Sequence, residues 1–278
     1  MTRFFGKTAM IRRPAVAGTF YPADPKSLEA EIAGFVAGRR PPRDPAAIAV
    51  MVPHAGYVYS GGIAVETFLA TRLPGRVVIL GPNHTGLGEP IAVMAEGDWR
   101  TPLGDVRIDA PLAAAILERC GGASIDAVAH QREHSLEVQI PLLMQLQPSF
   151  TFVPICVGTH RLGRLLDLGR AIAAAVTAIG GATLLVLSSD MSHYLPAAEA
   201  ERLDRRALAP ILALDPEGLL REVTAASISM CGVAPVVAGL EAARALGARE
   251  ARLVAYGNSG QRSGDFDSVV AYAGVAVL

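Results

Sequence analysis

The sequence predicts an α/β fold, a single-domain three-layer α/β/α sandwich with a mostly parallel or mixed central sheet. Apolar runs of strand length alternate with helical patterns, and the runs are apolar at successive positions. Such strands are buried on both faces, as in a sheet covered by two helix layers. The chain of 278 residues can bury a large core, and its sequence contains no obvious linker or repeat, so we predict one domain over residues 1–278.

The predicted elements follow one another along the chain. The strands are predicted at residues 47–52, 76–80, 151–157, 183–188, 251–256 and 268–277. The helices are predicted at residues 25–38, 61–72, 110–120, 135–147, 161–180, 198–213, 216–225 and 233–246. Asp24-Pro25 and Asp215-Pro216 are typical helix starts, because the acid caps free amides and proline fits the first turn. The segment 81–109 interrupts the alternation and is interpreted either as a functional excursion or as a β-hairpin pair at the sheet edge.

Composition and charge exclude several function classes. Hydrophobic residues make up 51% and charged residues 18% of the chain, which is typical of a globular protein. The net charge is −1, and Arg12-Arg13 and Arg205-Arg206 are interpreted as isolated, solvated pairs, so we expect neither nucleic acid nor membrane as a partner. No apolar run reaches the roughly 18 residues that span a bilayer. Residues 1–10 show no targeting pattern and are predicted to form a loose N-terminal extension.

The three cysteines are widely spaced and form no CxxC pair, which favours a reducing, cytoplasmic location over a disulfide framework. Cys120 lies at a predicted helix end before Gly121-Gly122, and Cys156 lies in the apolar run 152–157; both are predicted to be packing residues. Cys231 directly precedes a helical pattern, where the positive end of the helix dipole is expected to lower its pKa. It is interpreted either as a reactive or metal-binding thiolate or as a small residue at a crowded helix start.

Three of the six histidines follow predicted strands. His54 follows 47–52, His84 follows 76–80, and His193 follows 183–188. Ligands of open α/β sheets collect at the carboxyl ends of the strands, so three imidazoles delivered there could surround one small volume. This placement predicts a metal site or an acid–base site.

Four further positions are candidates for the site or for ordinary surface residues, and two of them have both interpretations. Asp190 lies three residues before His193, and one helical turn would let its carboxylate fix the tautomer of that imidazole; the alternative is a helix cap with His193 exposed. His134 is interpreted either as a functional residue or as an exposed residue where the helix 135–147 starts. His130 and His160 have no such surroundings and are predicted to lie at the surface.

Seven short motifs in order, taken together, resemble the Memo family, which is structurally similar to the class III extradiol dioxygenases of the LigB-like group. The motifs are Ala17-Gly18-Thr19-Phe20-Tyr21-Pro22, Pro53-His54-Ala55-Gly56-Tyr57, Gly81-Pro82-Asn83-His84, Arg100-Thr101-Pro102-Leu103-Gly104-Asp105, Glu133-His134-Ser135-Leu136-Glu137, Ser188-Ser189-Asp190-Met191-Ser192-His193 and Cys231-Gly232.

The resemblance implies an extradiol-dioxygenase-like fold with a metal pocket. It implies His54, His84 and Cys231 as metal ligands, with Asp190 and His193 lining the pocket. The dioxygenases hold Fe²⁺ with two histidines and a carboxylate, and here Cys231 stands where the carboxylate would be. A thiolate makes the site softer and more easily oxidised, so iron is expected, with copper and zinc as alternatives.

We therefore predict a metal-binding, non-haem iron, dioxygenase-like oxidoreductase in which His193, Asp190 and His134 are the catalytic residues. Two alternatives stay open: a peptide or small-ligand binding module in signalling that uses the same pocket without catalysis, and thiol chemistry with Cys231 as nucleophile and His193 as base. The expected partner is a small molecule or a peptide, and a homo-oligomer is left open. Fold alone does not specify the reaction.

Overall fold

The structure is a computed structural model that describes residues 10–39 and 46–278. Its strands are β1 (Ile11–Arg12), β2 (Ala49–Val52), β3 (Arg76–Pro82), β4 (Ile91–Val93), β5 (Asp98–Thr101), β6 (Gly104–Arg107), β7 (Ser124–Ile125), β8 (Thr151–Val157), β9 (Leu184–Ser188), β10 (His193–Leu195), β11 (Ala251–Asn258) and β12 (Val269–Val277). Its helices are α1 (Pro25–Val36), α2 (Tyr57–Leu69), α3 (Ala110–Arg119), α4 (Gln139–Leu146), α5 (Leu162–Ile179), α6 (Ala197–Leu212), α7 (Pro216–Ala225), α8 (Val233–Ala245) and α9 (Gly260–Ser263).

The large sheet is mixed, with a parallel centre. Its strand order is β10-β12-β2-β9-β3-β8-β4-β7, and β11 pairs with β12. The neighbours β2, β9, β3 and β8 run parallel, whereas β12 and β4 join them antiparallel. The carboxyl ends of β2, β3 and β9 therefore meet at one edge of the sheet.

Each face of this sheet carries its own apolar core. Val50 and Val52 of β2 pack in the core that contains Phe68 of α2, while Met51 packs in the core that contains Leu168 of α5. Successive side chains of a strand point to opposite faces, so an unbroken apolar run serves both cores. The predicted three-layer α/β/α fold with a mixed sheet is confirmed.

The predicted strands and helices are present, with shifted ends. The Asp24 carboxylate accepts the Ser27 N–H at 2.8 Å and that of Asp215 accepts the Gly218 N–H at 2.8 Å, so both predicted helix starts are confirmed. The predicted helix 135–147 begins later, at Gln139, after a turn.

The segment 81–109 contains the hairpin of β5 and β6, with β1 added to β5. It also contributes β4 to the large sheet. These short strands, together with β7 and β10, have too few residues to show a period in the sequence.

Residues 1–9 of the predicted loose extension 1–10 lie outside the described residues. Met10 is described, and its carbonyl accepts the N–H of Asp98 at 2.9 Å. In the described part of the chain, no helix has the length and apolar character needed to cross a membrane.

Two surface predictions are wrong, and one contact region explains both. Arg12 is only 6% exposed, because its guanidinium lies 4.3 Å from the Trp99 ring centre, donates to the carbonyls of His130 and Glu133, and forms an ion pair with Glu137. His130 is fully buried, with its ring edge-on to Trp99 and its Nε2 3.2 Å from the Ala92 carbonyl. Pairing of β1 with β5 brings Arg12 onto Trp99, which a sequence pattern does not reveal.

The other surface predictions hold. Arg205 and Arg206 are exposed and pair with the exposed or half-buried carboxylates of Glu201 and Glu222. His160 is exposed.

We expect Arg12→Ala to lower the free energy of unfolding by about 3–5 kcal/mol, because it leaves the buried Glu137 carboxylate without its cation. The adjacent Arg13 is exposed, so Arg13→Ala is the matched control and should change stability by less than about 0.5 kcal/mol. Urea denaturation measures both. Equal stability of the two variants would contradict the structural role given to Arg12.

Candidate metal centre

The predicted ligands converge where the central strands end. His54 follows β2, His84 follows β3, and Cys231 precedes α8. Their donor atoms, one from each residue, lie within 4.8 Å of one another, and Cys231 Sγ is 3.1 Å from His54 Nε2. The parallel strands thus bring together residues that are up to 177 positions apart in the chain.

A cavity of about 560 Å³ opens beside these ligands. His54, His84, His134, Asp190 and His193 all line it, so the structure brings the predicted catalytic residues to the predicted metal ligands. The ring of His134 stacks on that of His84 with centres 4.6 Å apart and stands edge-on to that of His54 at 5.5 Å.

Hydrogen bonds around Ser188 assign the tautomer of His54. The Ser188 hydroxyl donates its only proton to the Ser135 carbonyl at 2.7 Å, and it accepts from Gln139 Nε2 at 3.1 Å. Its contact with His54 Nδ1, at 2.9 Å, therefore requires the imidazole to donate. His54 carries its proton on Nδ1 and presents an unprotonated Nε2 to Cys231 Sγ.

Burial keeps His54 neutral. It lowers the pKa of His54 well below its usual value, and His134 and His84 act in the same direction. A neutral imidazole is the form that binds metal ions.

A buried carboxylate orients His84 in the same way. His84 Nδ1 lies 2.8 Å from Glu133 Oε1, and the His84 N–H donates to Glu133 Oε2 at 2.6 Å. Burial alone would raise the pKa of Glu133, but the hydrogen bond from His84 and the one from the Ser135 N–H hold it at about 2. The carboxylate is an acceptor only, so His84 donates from Nδ1 and its Nε2 is free to bind, as in carboxylate–histidine–metal arrangements.

A second group of potential ligands, His84, Glu133 and His134, fits a metal ion less well. Both Glu133 oxygens already accept hydrogen bonds from His84, and Oε1 also accepts the Ser135 N–H. A cation there would displace these bonds. The group of His54, His84 and Cys231 requires only the loss of the thiol proton.

The expectation of a lowered pKa at Cys231 is wrong for the metal-free chain. Burial raises the pKa of the thiol, and the neighbouring Asp190 carboxylate raises it further. The thiol proton therefore lies between Sγ and His54 Nε2. A coordinated metal ion would reverse this, because a thiol bound to a metal deprotonates outright.

Gly232 brings Cys231 this close to the strand ends. A Cβ at Gly232 would lie 2.3 Å from the Ser188 carbonyl oxygen and 2.4 Å from Ser189 Cβ. The start of α8 is therefore crowded, as one of the two interpretations of Cys231 expected, and this close packing positions the thiol.

The predicted pairing of Asp190 with His193 differs from the hydrogen bonds in the structure. The residues between them form no helical turn, and His193 begins β10. Asp190 Oδ1 accepts the N–H of His54 at 2.7 Å, while His193 Nδ1 lies 2.9 Å from the Ser229 carbonyl. A carbonyl only accepts, so Ser229 fixes the tautomer of His193 and leaves its Nε2 unprotonated.

His134 lies against Phe20, with ring centres 4.6 Å apart. Burial lowers the pKa of His134 to about 4, although the Glu133 carboxylate opposes this. Asp190 shows the opposite shift, because burial raises its pKa to about 6 against the hydrogen bond from the His54 N–H. In both side chains the neutral form is therefore favoured more than it would be in an exposed residue.

Sequence reasoning missed four residues that hold the site, namely Ser188, Gln139, Glu133 and Ser229. Glu133 and Ser188 do lie inside recognised motifs, and Glu133 directly precedes a candidate histidine. Gln139 and Ser229 carry no local signal, since their partners are distant in the chain.

We expect Ser188→Ala to remove the acceptor that holds the His54 proton on Nδ1. Long-range ¹H–¹⁵N spectra of metal-free protein should then show His54 changing from the Nδ1–H tautomer to a mixture. Metal affinity should fall about 10–100-fold. Ser149→Ala, at an exposed position outside the cavity, is the control. An Nε2–H tautomer of His54 in the unmodified protein would contradict the assignment.

The chain is similar to known proteins over nearly its whole length. The family model described as Memo-like protein matches residues 12–276. A MEMO1 family protein of Methanopyrus kandleri is 42% identical over 278 residues, covering 96% of this chain and 98% of the relative. Another, from Aquifex aeolicus, is 42% identical over 269 residues, with 96% and 99% covered.

One solved structure shows the same fold. An uncharacterized protein from Escherichia coli K12 matches with a TM-score of 0.50 at 16% identity, covering 81% of this chain and 98% of that chain. At this identity the likeness concerns the fold alone. The match of the family model and the identity to the two relatives both extend over nearly the whole chain, and they show that this protein belongs to the Memo family.

Proposed function

We propose that the chain is a non-haem metal protein that binds iron through His54 Nε2, His84 Nε2 and Cys231 Sγ, and that it works as an oxidoreductase. The single observation that carries this proposal is the assignment of both imidazole protons to Nδ1, which leaves two unprotonated nitrogens beside one thiol. Simple packing of histidines would not require both rings to present the same nitrogen to one point.

The donor set supports a borderline or soft metal. Imidazole binds zinc, copper and iron, and thiolate shifts the preference away from magnesium, calcium and manganese. A bound iron ion would supply one-electron redox chemistry and coordination positions open to the cavity. Copper and zinc are the alternative outcomes of a metal analysis.

The residues around the cavity support proton transfer. His193 has its Nδ1 proton on the Ser229 carbonyl, so its Nε2 can accept a proton from a ligand in the cavity. His134 is held neutral and can act in the same way. Asp190 orients the His54 backbone, so we assign it to positioning the ligand loop.

The free state of all three cysteines supports a reducing, cytoplasmic location as part of this proposal.

The alternative proposal, ligand binding in signalling without catalysis, is favoured by one observation. Tyr59 and Tyr194 line the cavity and yet are 46% and 77% exposed, so a ligand could cover them.

We expect about one metal ion per chain in protein purified without chelator. His54→Ala, His84→Ala and Cys231→Ala should each lose most of it, because each removes one of three ligands. His193→Ala should keep it, since that side chain is assigned to proton transfer, and the exposed His160→Ala is the surface control. Elemental analysis with plasma mass spectrometry measures the content. Equal metal content in all five variants would overturn the proposal.

A further inference from the structure

We propose that the cavity accepts a small aromatic ligand that carries a positively charged amine, and that Asp265 selects the amine. This inference names the ligand class of the proposed metal site and therefore rests on the proposed function. It comes from the charges and rings that line the cavity.

In the part of the chain that the structure describes, the cavity wall has acidic groups and no lysine or arginine to balance them. Among the described residues that line it, two are aspartates, Asp190 and Asp265, and none is lysine or arginine. Arg262 lies close to Asp265 in sequence, but it is not a lining residue, and its charge acts on Glu31 of α1. In the metal-free chain, a ligand with a carboxylate or phosphate would meet no lysine or arginine among these described residues, whereas an ammonium group would meet the Asp265 carboxylate.

Asp265 stands at the outer part of the cavity. It is exposed and belongs to the loop that follows α9, where its Oδ1 accepts the Asp267 N–H at 2.9 Å. This bond fixes the direction of the carboxylate and leaves its other oxygen available. Ser263 and Ser268 add hydroxyl groups on the same side of the cavity wall.

Aromatic side chains form much of the remaining wall. Phe20 and Tyr272 lie deeper, and Tyr59 and Tyr194 lie at the mouth. Aromatic faces pack against a ligand ring and also attract cations. Rings together with a carboxylate are the combination that recognises an aromatic amine.

The backbone at Tyr194 supports a ligand-binding role for that ring. Its φ is +58°, a conformation that is costly for a bulky residue, and the side chain is 77% exposed. His193 and Leu195 on either side pair with β12, which holds Tyr194 in this conformation. The register of β10 against β12 shifts at Tyr194, so this residue forms a β-bulge, a feature that redirects a side chain, and here the ring lies at the cavity mouth and away from the core.

The test compares two ligands that share a phenol ring and differ in the charge at the end of a short chain. Tyramine carries an ammonium group and 4-hydroxyphenylacetate carries a carboxylate. Calorimetry with the full chain, both metal-free and iron-loaded, measures their dissociation constants. We expect tyramine to bind at least about tenfold more tightly to the metal-free chain, a difference of about 1.4 kcal/mol. In the iron-loaded form the metal cation also attracts the carboxylate, so we expect a smaller preference.

Asp265→Asn preserves the shape of the side chain and removes its charge, so it should abolish most of this preference. Asp267→Asn is the matched control, because Asp267 is exposed, lies two residues away and does not line the cavity. Metal content should stay unchanged in both variants.

The inference is overturned if the metal-free chain binds the acid as tightly as the amine, if it binds neither ligand, or if Asp265→Asn keeps the full preference. The metal-free arm separates this result from the proposed metal function. If the chain prefers tyramine but binds no metal, the ligand class is supported and the proposed metal function is contradicted. If it binds metal without preferring tyramine, the metal function is supported and the ligand class is contradicted.

Discussion

Two buried carboxylates four residues apart hold the site together. Glu133 accepts hydrogen bonds from the backbone and the ring of His84, and Glu137 pairs with Arg12. Between them, the Ser135 carbonyl accepts the Ser188 proton and so determines the tautomer of His54. The five residues from Glu133 to Glu137 thus orient both histidine ligands.

The same five residues also fix the N-terminal segment as a wall of the cavity. Glu137 accepts the N–H groups of Ala15 and Val16 and the hydroxyl of Tyr21. Phe20, next to Tyr21, then lies against His134. A buried carboxylate is tolerated only when it is paired and fully hydrogen-bonded. The hydrogen bonds of Glu137 therefore hold the N-terminal segment in one arrangement. These side chains reach their partners from the turn that precedes α4.

Prediction from sequence succeeded where the information is local. Continuous apolar runs and capped helix starts predicted the layers of the fold, since burial on two faces leaves a clear pattern. The ends of those strands predicted that His54 and His84 would meet. Sequence reasoning failed where the partner is distant. Arg12 resembles a surface residue until β1 pairs with β5, and the pKa of Cys231 depends on burial and on Asp190 more than on its helix.

The central claim is that two imidazoles and one thiolate hold a metal ion at the carboxyl ends of β2 and β3. Anomalous diffraction at the metal edge, from crystals of protein purified without chelator, tests it most directly. The account predicts one peak about 2.0–2.4 Å from His54 Nε2, His84 Nε2 and Cys231 Sγ, at the bond lengths usual for nitrogen and sulfur ligands. A metal peak bound by Glu133 and His134 instead, or a metal peak elsewhere and none between these three atoms, would contradict it.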